Sequence, residues 1–143
     1  MKLFFLFIGL VMACPTYAAK EYGSIIVSRV GTVIDGDSFK VDIDSWPEIV
    51  GKGITIRING IDTPELRGKC EAEKQLARKA KQFAVEALRS AKAVELRNMK
   101  RGKYFRIVAD VYFDGSDLGK NLMKNQLARA YIKVKKSIWC VNI

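Results

Sequence analysis

Histidine is missing from this chain altogether. Its absence removes imidazole general bases, histidine-ligated zinc and every hydrolytic chemistry built on histidine, so catalysis here has to run on carboxylates, arginine, lysine, tyrosine or a bound metal. Acidic side chains are the second scarcity: 15 Asp and Glu face 25 Lys and Arg, a formal charge of +10. That excess on a small domain is the electrostatic footprint of a polyanion binder, with an acidic membrane surface as the rival partner. A membrane-spanning run is also lacking. The longest apolar stretch, LFFLFIGLVMA from Leu3 to Ala13, falls well short of the ~20 residues that cross a bilayer as a helix. Internal repeats and low-complexity tracts are absent, and 143 residues make one domain by length, for which a single site is expected.

The start of the chain is a different material from the rest. Met1-Lys2, the apolar run and then CPTYAA, with small residues at Thr16, Ala18 and Ala19, have the layout of a cleavable secretory signal over residues 1–19. The expected mature domain is 20–143, exported to periplasm or medium. A buried N-terminal core element is the alternative, although the run is apolar all round rather than amphipathic. Val11-Met12-Ala13-Cys14 also looks like a lipoprotein box, which would make Cys14 an anchor. Of the three cysteines, Cys70 and Cys140 lie beyond the leader. An even pair in an oxidising compartment is expected to form a disulfide, with two unpaired buried thiols as the alternative. A bridge would tie the tail segment SIWC to the loop after Asp62-Thr63-Pro64-Glu65 and would stabilise by roughly 4 kcal/mol in the chain-entropy model.

Strand signals come first: SIIVSRVGTVI from Ser24, SFKVDI from Ser38 to Ile43, and ITIRINGI from Ile54. Antiparallel pairing across the turn-rich DSWPEIVGKG sets Ile43 opposite Ile54 and Asp37 opposite Gly60, which brings Asp35 and Asp37 beside Asp62. From Glu71 to Ala91 the period changes to that of a helix, with Leu76, Ala80, Phe83, Ala84, Ala87, Leu88 and Ala91 on one face. Glu71 and Glu73 at its start, and Arg89 and Lys92 at its end, suit the helix dipole. Its basic residues, Lys74, Arg78, Lys79 and Lys81, read as a solvated face or a binding surface. Two strands follow, AVELRN from Ala93 and YFRIVADVYF from Tyr104, around a basic turn MKRGK. Ser116 or Asp117 then caps a last helix carrying Leu118, Leu122 and Leu127. This order describes an α+β chain, mainly β: a small barrel with helices packed outside.

Asp35-Gly36-Asp37 alone is ordinary turn chemistry, and Thr63-Pro64-Glu65 alone would start a helix. Their convergence is what points to a site. Carboxylates gathered without compensation repel one another, and a hard cation such as Ca²⁺ or Mg²⁺ relieves the repulsion through oxygen ligands alone. Arg57 faces away from the Ile56 and Ile58 row, and Arg106 sits between Phe105 and Ile107 in the last long strand. Such arginines serve as structural ion-pair partners or, beside a metal, as forks that clamp a phosphodiester.

VIDGDSFKV, IRINGIDTPE, KYFRIVADVYFDG and LARAY, in that order and at these spacings, resemble the staphylococcal nuclease family over Ser24 to Tyr131. The resemblance implies a five-stranded OB-fold barrel with packed helices, and Ca²⁺-dependent hydrolysis of DNA and RNA to 3′-phosphate ends, using one ion. By the match, Asp37, Asp62 and the Thr63 carbonyl are the metal ligands and Asp35 supports them. Arg57, Glu65 and Arg106 are catalytic: Glu65 orients or deprotonates the water, and the arginines neutralise charge on the phosphoryl oxygens. Lys103 and Tyr104 hold a terminal phosphate, and Tyr131 stacks a base. The expected protein is a monomer acting on single strands. The chain departs from the family pattern at Phe105, where glycine is common, in a segment one residue shorter near Tyr131, and in a short C-terminal region. A non-catalytic OB-fold module that binds single-stranded nucleic acid is the alternative from another class.

Overall fold

The computed structural model describes residues 20–133 and 138–140; the leader at 1–19, Cys14 included, lies outside the described residues. The first long strand of the chain is broken in two, and the break closes the barrel. β1 (Ile25–Ile26) pairs with β6 (Val94–Arg101), whereas β2 (Arg29–Val33) pairs with β3 (Ser38–Asp42). Between them the Val27 N–H still donates to Val94 and the next N–H, of Ser28, already donates to Asp42. One segment thus serves as both edges of the sheet, whose order runs β1-β6-β7-β4-β3-β2, with β4 Ile54–Ile58 and β7 Ile107–Phe113 in parallel at its centre. Among the described residues, and counting β1 and β2 as one strand, this is a five-stranded curled barrel of OB type with three helices, an α+β fold.

Alternation along the strands builds the core. Phe39 and Val41 point inward from β3 around exposed Lys40, and Ile54, Ile56 and Ile58 do the same from β4. Truncating Phe39, which is fully buried, to alanine would cost about 3–5 kcal/mol. The helix α2 (Glu71–Ser90) lays Ala77, Ala80, Ala84, Ala87 and Leu88 on the barrel. Its small residues let the helix come close, and Leu76 and Phe83 are only half-buried. Asp117 caps α3 (Leu118–Lys124), its carboxylate accepting from the Lys120 N–H. No described helix is long and apolar enough to cross a membrane.

Two expectations are corrected. The β3–β4 register is Val41 opposite Ile54 and Ser38 opposite Arg57, so Asp37 stands beside Ile58, whose N–H donates to it, rather than beside Gly60. The cause is α1 (Glu48–Gly51), a helical turn inside the linker. It takes Ile43 out of the ladder by accepting its N–H at the Gly51 carbonyl. A two-residue slip preserves the facing of every side chain, because two is the period of a strand. The second correction concerns the β6–β7 connection. β6 runs on through Arg101, and β7 begins at Ile107 rather than Tyr104. Tyr104 and Phe105 have φ of 55° and 61°, two successive left-handed residues that interrupt the extended chain.

Candidate active site

The Asp35-Gly36-Asp37 bend turns β2 into β3, and the Ile34 and Asp35 N–H groups both donate to the Ser38 carbonyl. A Cβ at Gly36 would stand 2.8 Å from Ala80 Cβ and 3.0 Å from Thr63 Cγ2. Only glycine lets the bend lie flat between α2 and the Thr63 loop. That approach sets the buried Asp37 carboxylate beside the Thr63 N–H, which donates to Oδ2 at 3.2 Å, and the Ser38 hydroxyl donates to Oδ1 at 2.8 Å.

β4 delivers Arg57 to the same place. Its Nη1 lies 2.7 Å from Asp37 Oδ1 and its Nη2 3.6 Å from Asp62 Oδ1, with the Ile61 carbonyl accepting at 3.3 Å. Asp62 ends β5 (Ile61–Asp62), which pairs with β9 (Arg129–Ala130). That ladder continues in the Tyr131 N–H, which donates to Gly60, and sets the Tyr131 ring centroid 5.8 Å from the Arg57 guanidinium. Asp35 accepts the Asp37 N–H at 3.2 Å. Burial first, and the Asp37 charge second, push the Asp35 carboxyl up to about 6.

Two aspartates therefore share one guanidinium, with Asp35 behind Asp37, so these contacts gather three carboxyls with one cation. An all-oxygen donor set with surplus negative charge fits a hard divalent cation. Asp37, Asp62 and the Thr63 carbonyl are the residues that would hold it. Among the described residues the trio of metal-binding type brought within 4.8 Å is Cys70, Glu73 and Cys140, not the three aspartates. Its two sulfurs are already joined in a disulfide, so it offers no thiolate ligand.

Glu65 is exposed on the loop that follows. No helix starts at Thr63; α2 begins at Glu71, and the intervening loop is organised by Glu73, a residue sequence reasoning assigned only to the helix dipole. The buried Glu73 carboxylate accepts the Glu65 N–H at 3.3 Å and the Lys69 N–H at 2.9 Å, and a Cβ on Gly68 would collide with it. Its spacing from Ala77, Ala80 and Ala84 is the signal that puts it on the buried face. Beyond it the disulfide joins Cys70 to Cys140, and Glu65, Arg67, Lys69 and Trp139 line a cavity of about 280 Å³. A second residue that sequence reasoning missed is Arg129. It pairs with Asp62 across β5–β9 and stacks on Trp139, 4.3 Å from the ring centroid; nothing in its neighbourhood in sequence signals this.

Arg106 sits in a turn, not in a strand. Its Nε donates to the Lys103 carbonyl at 3.3 Å, and its guanidinium lies 5.6 Å from the Tyr104 ring centroid. Ile107 pairs with Ile56 in parallel, so Arg106 lies just outside the end of that ladder. Lys103 and Tyr104 are exposed on the same turn.

A family model described as staphylococcal nuclease homologue matches residues 55–139. The chain belongs to the staphylococcal nuclease family. The matched span holds Arg57, Asp62, Thr63, Glu65, Lys103, Tyr104, Arg106 and Tyr131, while Asp35 and Asp37 precede it. The chain is also 31% identical over 117 residues to Endonuclease YncB of Bacillus subtilis (strain 168), an overlap of 80% of this chain and 53% of that protein. It thus spans about half the length of the curated relative it matches. The family and the relative are both named for nucleases.

Proposed function

We propose that the protein is an exported, Ca²⁺-dependent, sugar-nonspecific nuclease. It acts as a monomer on DNA and RNA, single strands above all, and leaves 3′-phosphate ends. The observation that carries this reading is the Arg57 guanidinium closed on Asp37 and Asp62, within a chain of this family. The basic excess draws the polyanion in, and binding weakens as salt rises. Ca²⁺ suits an extracellular or periplasmic enzyme, because weak affinity suffices where the ion is plentiful. The Cys70–Cys140 disulfide supports the same compartment.

Each side chain has one task. Asp37, Asp62 and the Thr63 carbonyl hold the ion, and Asp35 steadies Asp37 through its N–H. The bound ion supplies Lewis-acid polarisation of the phosphoryl oxygen. Arg57 offers the phosphate the fork it now closes on Asp37, and Arg106 brings a second fork from its turn. Together they oppose charge that grows only in the transition state. Glu65, on the loop whose N–H groups Glu73 accepts, orients the attacking water or takes its proton. Lys103 and Tyr104 grip the terminal phosphate, and Tyr131 stacks a neighbouring base.

The test is cleavage of single-stranded DNA by the purified protein in Ca²⁺ and in chelator. Cutting should require the ion, give 3′-phosphate ends, and fall by at least about 100-fold in Arg57→Ala and in Glu65→Ala. DNA that is retained but uncut with every metal tried would instead identify a binding module.

A further inference from the structure

The second cavity of note lies at the first residues of β4 and β7 and shares Arg106 with the chemistry above. It encloses about 260 Å³, with Ile54 and Met99 at its floor. Three aromatic residues, Tyr22, Trp46 and Phe105, form its walls, and Lys100, Arg101 and Arg106 its rim. Lys100 is paired with Glu21 at 3.1 Å, leaving two arginines as the dominant charges. Ile54 precedes Arg57 by three residues on β4, a separation of about 10 Å along the strand. That odd separation puts Ile54 on the face opposite Arg57, and it is Arg106, in the lining, that joins the opening to the turn carrying Lys103 and Tyr104.

Phe105 is the residue that asks for a reason. It is 69% exposed, so it adds little to the core, and it is held at φ 61°, where a side chain costs free energy and glycine does not. Tyr104 beside it is 88% exposed at φ 55°. Guanidinium groups stand over both rings, Arg101 at 6.0 Å from the Phe105 centroid and Arg106 at 5.6 Å from that of Tyr104. Aromatic faces interleaved with arginines along an exposed turn are the recurring surface for unpaired bases, which stack on the rings while the cations meet the backbone.

We propose that this cavity is a base-stacking subsite, which takes a nucleobase of single-stranded nucleic acid next to the phosphate met by Arg106 and its turn. This rests on the nuclease reading for its substrate class, but it is tested without catalysis. In the Trp139→Phe protein, Trp46 is the sole tryptophan. With chelator present, a short oligothymidylate should quench Trp46 saturably, and an abasic oligomer of equal length should bind roughly tenfold more weakly. Phe105→Gly should weaken oligothymidylate binding by about the same factor, since one stacked base is lost, while its melting temperature is maintained or raised. If Trp139→Phe fails to fold, fluorescence anisotropy of a labelled oligonucleotide on the full chain and on Phe105→Gly makes the same comparison. Because Tyr131 also stacks a base, the Phe105→Gly comparison decides, and binding like the parent overturns the subsite. Weakened binding in Phe105→Gly without cleavage in any metal upholds the subsite and sinks the nuclease reading; cleavage with Phe105→Gly binding like the parent does the reverse.

Discussion

The strand β3 has a buried aspartate at each end, and each meets an arginine. Asp42 accepts from Arg29 Nε at 2.8 Å and Nη2 at 2.6 Å, and from the Gly53 N–H at 2.8 Å. One carboxylate there faces one guanidinium and a backbone donor, and the account is closed. At the other end Asp37 also has a guanidinium at 2.7 Å, but Arg57 is shared with Asp62, and Asp35 adds a further carboxyl. The two pairs look alike as contacts and differ as electrostatics. A balanced pair is structure, whereas a cluster with surplus charge of one sign is poised for a ligand of the opposite sign.

Removing each arginine should expose that difference most strongly. Arg57→Ala leaves the nearly inaccessible Asp37 carboxylate without its cation, which costs about 3 kcal/mol for a buried pair that loses one partner, in addition to the loss of cutting. Arg29 has a side chain 71% exposed, so Arg29→Ala should cost at most about 1 kcal/mol and leave the cleavage rate unchanged. Urea unfolding and cleavage assays on the two variants make the comparison. Equal losses of stability with equal losses of activity would erase the distinction between the ends of β3.

The site end carries a covalent tether, and the Asp42 end relies on hydrogen bonds. Reducing Cys70–Cys140, whose residues are 70 apart in sequence, should destabilise by up to ~4 kcal/mol on chain-entropy grounds. Because Glu73 sits between the disulfide and the Glu65 N–H, reduction should also slow cleavage under conditions where the fold persists. Unfolding curves and rates with and without reductant check both effects. A rate insensitive to reductant in still-folded protein would show that the Glu65 loop holds itself.

Much of this was legible in the sequence, and what was not has physical reasons. The inward rows of Phe39, Val41, Ile54, Ile56 and Ile58 followed from alternation, and the helix over α2 from its changed period. The slip in the β3–β4 register escaped because α1 is a single turn, too short to announce itself by periodicity, and it removes Ile43 from the ladder. Tyr104 and Phe105 read as strand because aromatic residues favour strands; their left-handed backbone is set by the turn into β7. At the site, the sequence suggested a convergence of Asp35, Asp37 and Asp62, whereas in the structure Asp37 and Asp62 meet Arg57 and Asp35 meets only Asp37. Glu73 hid in a helix whose acidic start had a sufficient local explanation, and Arg129 needed the β5–β9 pairing, which no local pattern encodes.

The smallest expected effect belongs to the balanced end. The Gly53 N–H first, and Arg29 second, hold the Asp42 carboxyl below its ordinary value of 3.8. A carboxyl depressed in the folded state binds fewer protons there than in the unfolded chain just below that value, so its contribution is complete above pH 3.8 and is lost as pH falls through the folded pKa. Asp42→Asn, which keeps the shape and discards the charge, should therefore lower stability above about pH 4 and narrow its gap to the parent as acid is added. Thermal melts of the two proteins from neutral pH down to acid measure that gap. A gap of constant size across the acid range would mean that the Gly53 hydrogen bond holds this end without help from the charge, and that the likeness between the two aspartates is one of geometry alone.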